Sequence, residues 1–215
     1  MFLMNKARKE KFYLGQSDDV LPRFPIRVSE LDRFKFGKFQ YYKNAILLGK
    51  ETPYCLDVAC GAKPFPKAHV LCDLYIRKVQ DRRMQELVTE GKPFVLCDCH
   101  ILPFKDKAFD FVTSYYLIEH ISCPSKVLRE LERVSIHGYI QCPSWLNEVL
   151  YGEEVHKWII IKRNNRLYVR PINFRKRFKI QFGFIFHRLY RSNKWRVVHA
   201  ILDETLHLFT VNYTF

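Results

Sequence analysis

Tyr54-Cys-Leu-Asp-Val-Ala-Cys-Gly-Ala-Lys63 is an apolar run that passes without a break into a turn of small residues, with Asp57 before the junction and Gly61 after it. Glycine and alanine let a backbone approach a bound molecule that larger side chains would hold off, so the stretch reads as a strand ending at a ligand. The same rhythm returns further along the chain. His69-Val-Leu-Cys-Asp73 and Pro93-Phe-Val-Leu-Cys-Asp98 are each a strand closed by an acid, Phe109-Asp-Phe-Val-Thr-Ser114 is a fourth strand and Gly138-Tyr-Ile-Gln-Cys142 a fifth.

Helical patterns lie between and around these strands. Ser29-Glu-Leu-Asp32 supplies an N-cap and first turn for a helix over 30–48, a charged helix is expected over 76–90, and a third runs from Ser125 to Val134 behind Pro124. Strands alternating with such crossovers predict an α/β fold: a Rossmann-like, doubly wound, mostly parallel sheet with an antiparallel C-terminal strand. In sheets of this kind ligands bind beyond the C-terminal strand ends, where Gly61, Asp73, Asp98 and Ser114 fall. After Pro143 the periodicity changes to two, with Phe178, Ile180, Phe182, Phe184 and Phe186 against Lys179, Gln181 and His187, which reads as antiparallel hairpins. Leu206 to Phe215 reads as the last strand. The expected organisation is an N-terminal helical cap (1–50), a cofactor-binding core (51–145) and a basic, aromatic-rich region completing the sheet (146–215).

A chain of 215 residues that is 48% apolar buries a full core, which excludes a disordered tail. Seven cysteines, an odd number without framework spacing, point to reduced thiols and a cytoplasmic protein rather than secreted disulfides. Met1-Phe-Leu-Met4 gives way at once to charged residues, leaving no signal-peptide core, and no apolar run approaches the ~18 residues of a membrane span. The net charge of +14 is concentrated: thirteen Lys and Arg and no acid lie between Val155 and Leu202, and the rest of the chain is near neutral. A field of that sign, carried by residues 157–196, attracts an anionic partner such as RNA, a phosphorylated glycan or a lipid headgroup. Its interleaved aromatics either stack on single-stranded RNA or form the inner face of a sheet whose outer face is cationic.

Together, these motifs resemble the class I S-adenosylmethionine-dependent methyltransferases of the type 11 group, over about residues 53 to 145. The family's Leu-Asp-Val-Gly-Cys-Gly turn is similar to Leu56-Asp-Val-Ala-Cys-Gly61. Its Asp-Ala-Leu-Pro-Phe-x-Asp-x-x-Phe-Asp signature is similar to Asp98-Cys-His-Ile-Leu-Pro-Phe-Lys-Asp-Lys-Ala-Phe-Asp110. Ile118-Glu-His120, Arg129-Glu-Leu-Glu-Arg-Val134 and Gly138-Tyr-Ile140 continue the match in order. The resemblance implies S-adenosylmethionine as cofactor, with Asp73 on the ribose hydroxyls and Asp98, beside the backbone of Cys99, on the adenine. Asp57, Ala59, Gly61, Lys63 and Ser114 complete the implied cofactor-binding set. Physically, a carboxylate can accept from both ribose hydroxyls at once.

The sequence departs from that pattern in three places. Ala59 replaces the turn's first glycine, which is tolerable at negative φ and strained otherwise. Lys63 replaces the third, and its ammonium either pairs with the cofactor's carboxylate or obstructs it. Between Gly61 and Val70 the chain holds only a short Pro64-Phe-Pro66 connection, less than the dozen or so residues a parallel crossover needs. The first helix is therefore expected to be missing, and with it a surface of N-terminal amides.

Glu119, His120 and His156 are the candidate catalytic residues, as base or substrate contact, with a helix start and satisfied histidines as the bland alternative. Cys97-Asp-Cys99-His100 has the look of a metal site, but no second cysteine pair has zinc spacing, and no metal is expected. Three functions stay open at this point: methyl transfer to an anionic acceptor, a catalytically inactive relative that binds nucleic acid or serves as a scaffold, or a peripheral membrane enzyme acting on lipid-linked glycans.

Overall fold

In the computed structural model, which describes residues 34–79, 84–150, 155–164, 166–172 and 210–215, the stretch that opens the sequence argument is the middle of a six-stranded sheet. β1 (Cys55–Val58) is buried at every position, as a strand covered on both faces must be. β2 (Val70–Asp73), β3 (Phe94–Leu96), β4 (Phe109–Tyr115) and β5 (Ser135–Pro143) join it in parallel. An antiparallel hairpin of β6 (Trp158–Arg163) and β7 (Arg166–Pro171) follows, and β8 (Thr210–Thr214) pairs antiparallel with β5. The order β3-β2-β1-β4-β5-β8 makes the fold α/β, a Rossmann-like sheet with one antiparallel edge. Strand order runs outward in both directions from β1 and β4, so the switch point, where ligands bind in such sheets, lies between them.

The register carries the sequence motifs to one edge. Val58 is level with Cys72 on one side and Ser114 on the other, and Asp73 is level with Leu96. Side chains alternate across the strands, which separates two cores. Leu56, Val58, Val70, Val112 and Ile140 pack under α2 (Pro124–Val134). That helix buries Pro124, Val127, Leu128, Leu131 and Val134, an i, i+3, i+4, i+7 stripe whose large side chains are worth about 1.5–3 kcal/mol each when fully buried.

The opposite core is aromatic: Phe34, Tyr41, Phe65, Phe111, Tyr115 and Tyr139. α1 (Lys35–Leu48) lies over it, close to the expected 30–48, and ends on Gly49 in the left-handed conformation. Its close approach depends on Gly37, where an added Cβ would stand 1.8 Å from the Tyr115 hydroxyl. Tyr41 is fastened through its hydroxyl to the carbonyl of Pro53 at 3.1 Å.

The expected loss of the first crossover helix is seen: residues 61–69 form turns and bends. Phe65 takes its place as a plug. Fully buried, it packs on Phe34, Tyr41 and Tyr115 with ring centroids 5.7, 6.1 and 6.1 Å away. The charged helix expected over 76–90 is not formed by the described residues there, which are irregular on both sides of 80–83. The segment's side chains are mostly exposed, so no apolar stripe holds a helix against the sheet, and charge pattern alone does not make one. A short helix, α3 (Trp145–Leu150), was not anticipated; Ser144 starts it, its hydroxyl accepting from the Asn147 amide at 3.3 Å. The alternating run Phe178 to Phe186, the cations from Arg175 to Arg196, and Leu206 to Phe209 lie outside the described residues.

Candidate functional site

At the end of β1 the chain reverses with Ala59 at φ 59° and Gly61 at φ 59°. Both are left-handed, a conformation glycine adopts freely and alanine does not; the negative φ that would have made Ala59 comfortable is not what the turn uses. The turn is fixed to β2 by two amides. Cys60 N–H donates to the Cys72 carbonyl at 3.1 Å, and Gly61 N–H to Asp73 Oδ2 at 3.0 Å. The other Asp73 oxygen, Oδ1, accepts from Tyr75 N–H at 3.1 Å. Asp73 thus holds the turn through Oδ2 and braces the chain just after β2 through Oδ1.

Asp57 resolves differently. Its carboxylate is buried, with Oδ2 accepting from Phe65 N–H at 2.7 Å and Oδ1 from the Thr113 hydroxyl at 2.8 Å. It anchors the phenylalanine plug on the aromatic side of the sheet, a strand-end role. Lys63 is exposed and its neighbour Pro64 buried.

Asp98 stands at the next strand end, with half of its side-chain surface open (51%). Its Oδ1 accepts from the backbone N–H of His100 at 2.8 Å and from the ring Nδ1 at 2.6 Å. The amide first, then the ring hydrogen bond, hold its carboxyl below the usual range. The Cys123 amide donates to His100 Nε2 at 3.4 Å and Ser122 Oγ lies 3.3 Å away. An amide donor at Nε2 assigns the ring proton to Nδ1, facing Asp98. His100 is therefore a strut between the β3 turn and the start of α2, a role the sequence reading missed although Asp98-Cys-His100 has Asx-turn spacing. Cys99 is half-buried, and burial pushes its thiol up to about 12, as it does that of Cys60. Cys97 turns instead to Cys72, whose hydrogen bond lowers it. All seven cysteines are free thiols.

Beyond β4 a second cluster forms. Ser114 is buried, and its hydroxyl has no hydrogen-bond partner among the described residues. The loop that follows carries Glu119, 1% exposed, and His120, whose Nε2 is 3.9 Å from Glu119 Oε1. His156 comes from the start of the β6 hairpin and stacks edge-on against His120 with centroids 4.7 Å apart. Two hydrogen bonds sew the hairpin to the loop: Lys157 N–H to the Glu119 carbonyl at 2.7 Å and Trp158 Nε1–H to the Ile121 carbonyl at 2.7 Å. Glu148 of α3 lies behind His156, with Oε1 2.5 Å from Nδ1. The three sequence candidates thus form one buried corner at the C-terminal edge of the sheet, and Glu148 is its unpredicted fourth member.

Residues 56–140, from β1 to β5, match the family model described as a methyltransferase domain. Over this stretch, less than half of its length, the chain is similar to a methyltransferase domain. A ubiquinone/menaquinone biosynthesis C-methyltransferase from Desulfotalea psychrophila is 26% identical over 149 residues, 62% of this chain and 60% of that protein. An uncharacterised methyltransferase from Schizosaccharomyces pombe is 26% identical over 144 residues, 58% of this chain and 52% of that one. This chain therefore spans little more than half the length of those relatives. Among solved structures, an S-adenosylmethionine-dependent methyltransferase from Thermotoga maritima is 19% identical with a TM-score of 0.35, covering 53% of this chain and 62% of that one.

The methyltransferase domain implies S-adenosylmethionine as its cofactor, and the residues fit such a group. Asp98 presents an open, ionised carboxylate at the switch-point edge, and Ser114 at the end of β4 carries a buried hydroxyl with no hydrogen-bond partner among the described residues. The signature around Asp98 also has a structural basis in the fold itself. Arg133 of α2 donates to the carbonyls of Leu102 and Phe104 and to Asp106 at 2.8, 2.7 and 2.8 Å, while Glu130 accepts from the Leu102 amide at 2.8 Å. Asp110, at the far end of β4, accepts from Lys50 at 2.7 Å and from the Tyr54 amide at 2.8 Å. Among the described residues no helix is long and apolar enough to cross a membrane.

Proposed function

We propose that the chain is an active S-adenosylmethionine-dependent methyltransferase of the cytoplasm, whose acceptor is anionic and enters at the Glu119–His120–His156 corner. The observation that carries this reading is the gathering of the Ala59–Gly61 turn, Asp73, Asp98 and Ser114 at the switch-point edge, with a buried His/Glu cluster at the same edge. When bound, the cofactor supplies a methyl group on a sulfonium. Asp73 and Asp98 accept hydrogen bonds from its hydroxyl and amino groups, and the Cys99 amide reads the adenine edge. Both acids are fixed by backbone donors, so orienting the cofactor requires no further ordering of those side chains; positioning of this kind supplies up to about 7–11 kcal/mol in favourable reactions. His120 and His156 act on the acceptor, holding it or taking its proton as it reacts.

The anionic nature of the acceptor rests on the hairpin beside that corner, where Lys157, Lys162, Arg163 and Arg170 are exposed. The test is calorimetric titration with S-adenosylmethionine and S-adenosylhomocysteine. Asp98→Ala is the informative variant, because Asp98 is half open whereas Asp73→Ala also frees the turn. Micromolar binding abolished by Asp98→Ala is the expected outcome. Absence of binding at millimolar ligand by folded protein would leave the inactive, nucleic-acid-binding or scaffold reading.

A further inference from the structure

We propose that Glu119, His120 and His156 form a binding site for a divalent transition-metal ion, with Glu148 as the group that orients His156. The donor atoms of the three residues all lie within 4.8 Å of one another. A point therefore exists within about 2.8 Å of each, and inward shifts of about 0.6–0.8 Å bring all three to the ~2.0–2.2 Å of zinc–nitrogen and zinc–carboxylate bonds. Two histidines and one carboxylate are the donor set of catalytic zinc and of non-haem iron sites, and three protein ligands leave a coordination position open.

The surroundings point the same way. His156 Nδ1 lies 2.5 Å from Glu148 Oε1, so the proton sits on Nδ1 and the lone pair on Nε2, the tautomer a metal takes in a carboxylate–histidine–metal arrangement. The other Glu148 oxygen, Oε2, is buried without a hydrogen-bond partner among the described residues, and Glu148 and His156 side chains are only 4% and 7% exposed. A buried carboxylate such as Glu148 is costly unless its charge is offset, and a divalent ion held by His156 brings positive charge to it. The site is distinct from the more open Asp98–Cys99–His100 group, whose donors also lie within 4.8 Å of one another but whose histidine is committed to Asp98 and the Cys123 amide.

For function, the open coordination position would take an oxygen of the acceptor and lower its pKa; that consequence rests on the methyl-transfer reading, whereas binding of the ion does not. Chelator-treated wild-type chain is titrated with zinc chloride by calorimetry in the absence of S-adenosylmethionine, so that failure of the cofactor test and failure of this one are separate results. One equivalent of zinc with a Kd below about 1 µM is expected. Binding should survive Cys99→Ser, weaken about 10–100-fold in Glu148→Gln, and be lost in His156→Gln and Glu119→Gln, with folding checked by circular dichroism. Lack of saturable binding by the wild type, loss in Cys99→Ser, or retention in folded His156→Gln overturns the proposal. If His156→Gln does not fold, the wild-type stoichiometry and the Glu148→Gln and Cys99→Ser titrations decide it.

Discussion

Ala59 is the residue at which this chain's local preference and its fold disagree. An L-residue in the left-handed region costs about 1–2 kcal/mol, and the turn accepts that cost because Cys60 and Gly61 amides must reach Cys72 and Asp73. Ala59→Gly removes the strain but adds freedom to the unfolded chain, which returns about 0.4–1 kcal/mol of the gain. The net expectation is a stabilisation of up to about 1 kcal/mol, read as a higher denaturant midpoint at unchanged slope; a lower midpoint would show that the alanine methyl makes a packing contribution larger than its strain. At this scale the sequence was informative about which residues matter and less so about what they do. Asp73 and Asp98 fell at strand ends as read, because a strand followed by an acid is a local pattern. Asp57 did not reveal its role, since its partners, Phe65 and Thr113, are set by the plug and by β4. Glu148 was hidden for a related reason: six helical residues carry no periodicity, and only the fold brings α3 behind His156.

Among elements, α2 shows how a sequence signature can serve the stability of the fold. Arg133 holds the Leu102–Asp106 loop, and Glu130 holds Arg133 through hydrogen bonds of 2.9 and 2.8 Å. The arginine's hydrogen bond keeps the Glu130 carboxyl below its ordinary value of 4.5. A carboxyl depressed in the folded state stabilises the protein above its unfolded pKa, and that contribution disappears as pH falls through the folded value. Glu130→Gln should therefore lower stability by about 2 kcal/mol near neutral pH, in the range of hydrogen bonds to charged groups. The gap to wild type should begin to close as pH falls below about 4.5 and go on shrinking as it passes through the lower, folded-state value. Thermal unfolding across that range is the check, and a gap that stays constant would place the contribution in packing rather than charge. The helix itself was legible because Pro124 and an apolar stripe announce it, whereas the charged segment at 76–90 offered ionic pattern without a buried face.

For the molecule as a whole, the features with the widest consequence are a plug in place of a crossover helix and a strongly cationic region late in the chain. Phe65 and α1 close the aromatic side that the missing helix leaves, so the sheet keeps two covered faces. The excess charge is then confined to the region after α3, where its described part, the β6–β7 hairpin, is sewn to the loop bearing Glu119 and His120. An anionic partner drawn to the hairpin arrives at the proposed acceptor corner without further steering. Partners held by several phosphate contacts release counterions on binding, so affinity falls steeply with salt. Titration of a fluorescent single-stranded RNA, with polyphosphate as competitor, should give binding that weakens at least tenfold between about 50 and 200 mM salt. Replacing Lys162, Arg163 and Arg170 together by alanine should reduce the slope of that dependence as well as the affinity, because each lost phosphate contact releases one counterion fewer. Competition by polyphosphate as effective as RNA would mean that charge alone recruits the partner. RNA that resists polyphosphate would instead assign the aromatics of this region a stacking role, and binding indifferent to salt and to the triple substitution would separate the hairpin's charge from the choice of acceptor.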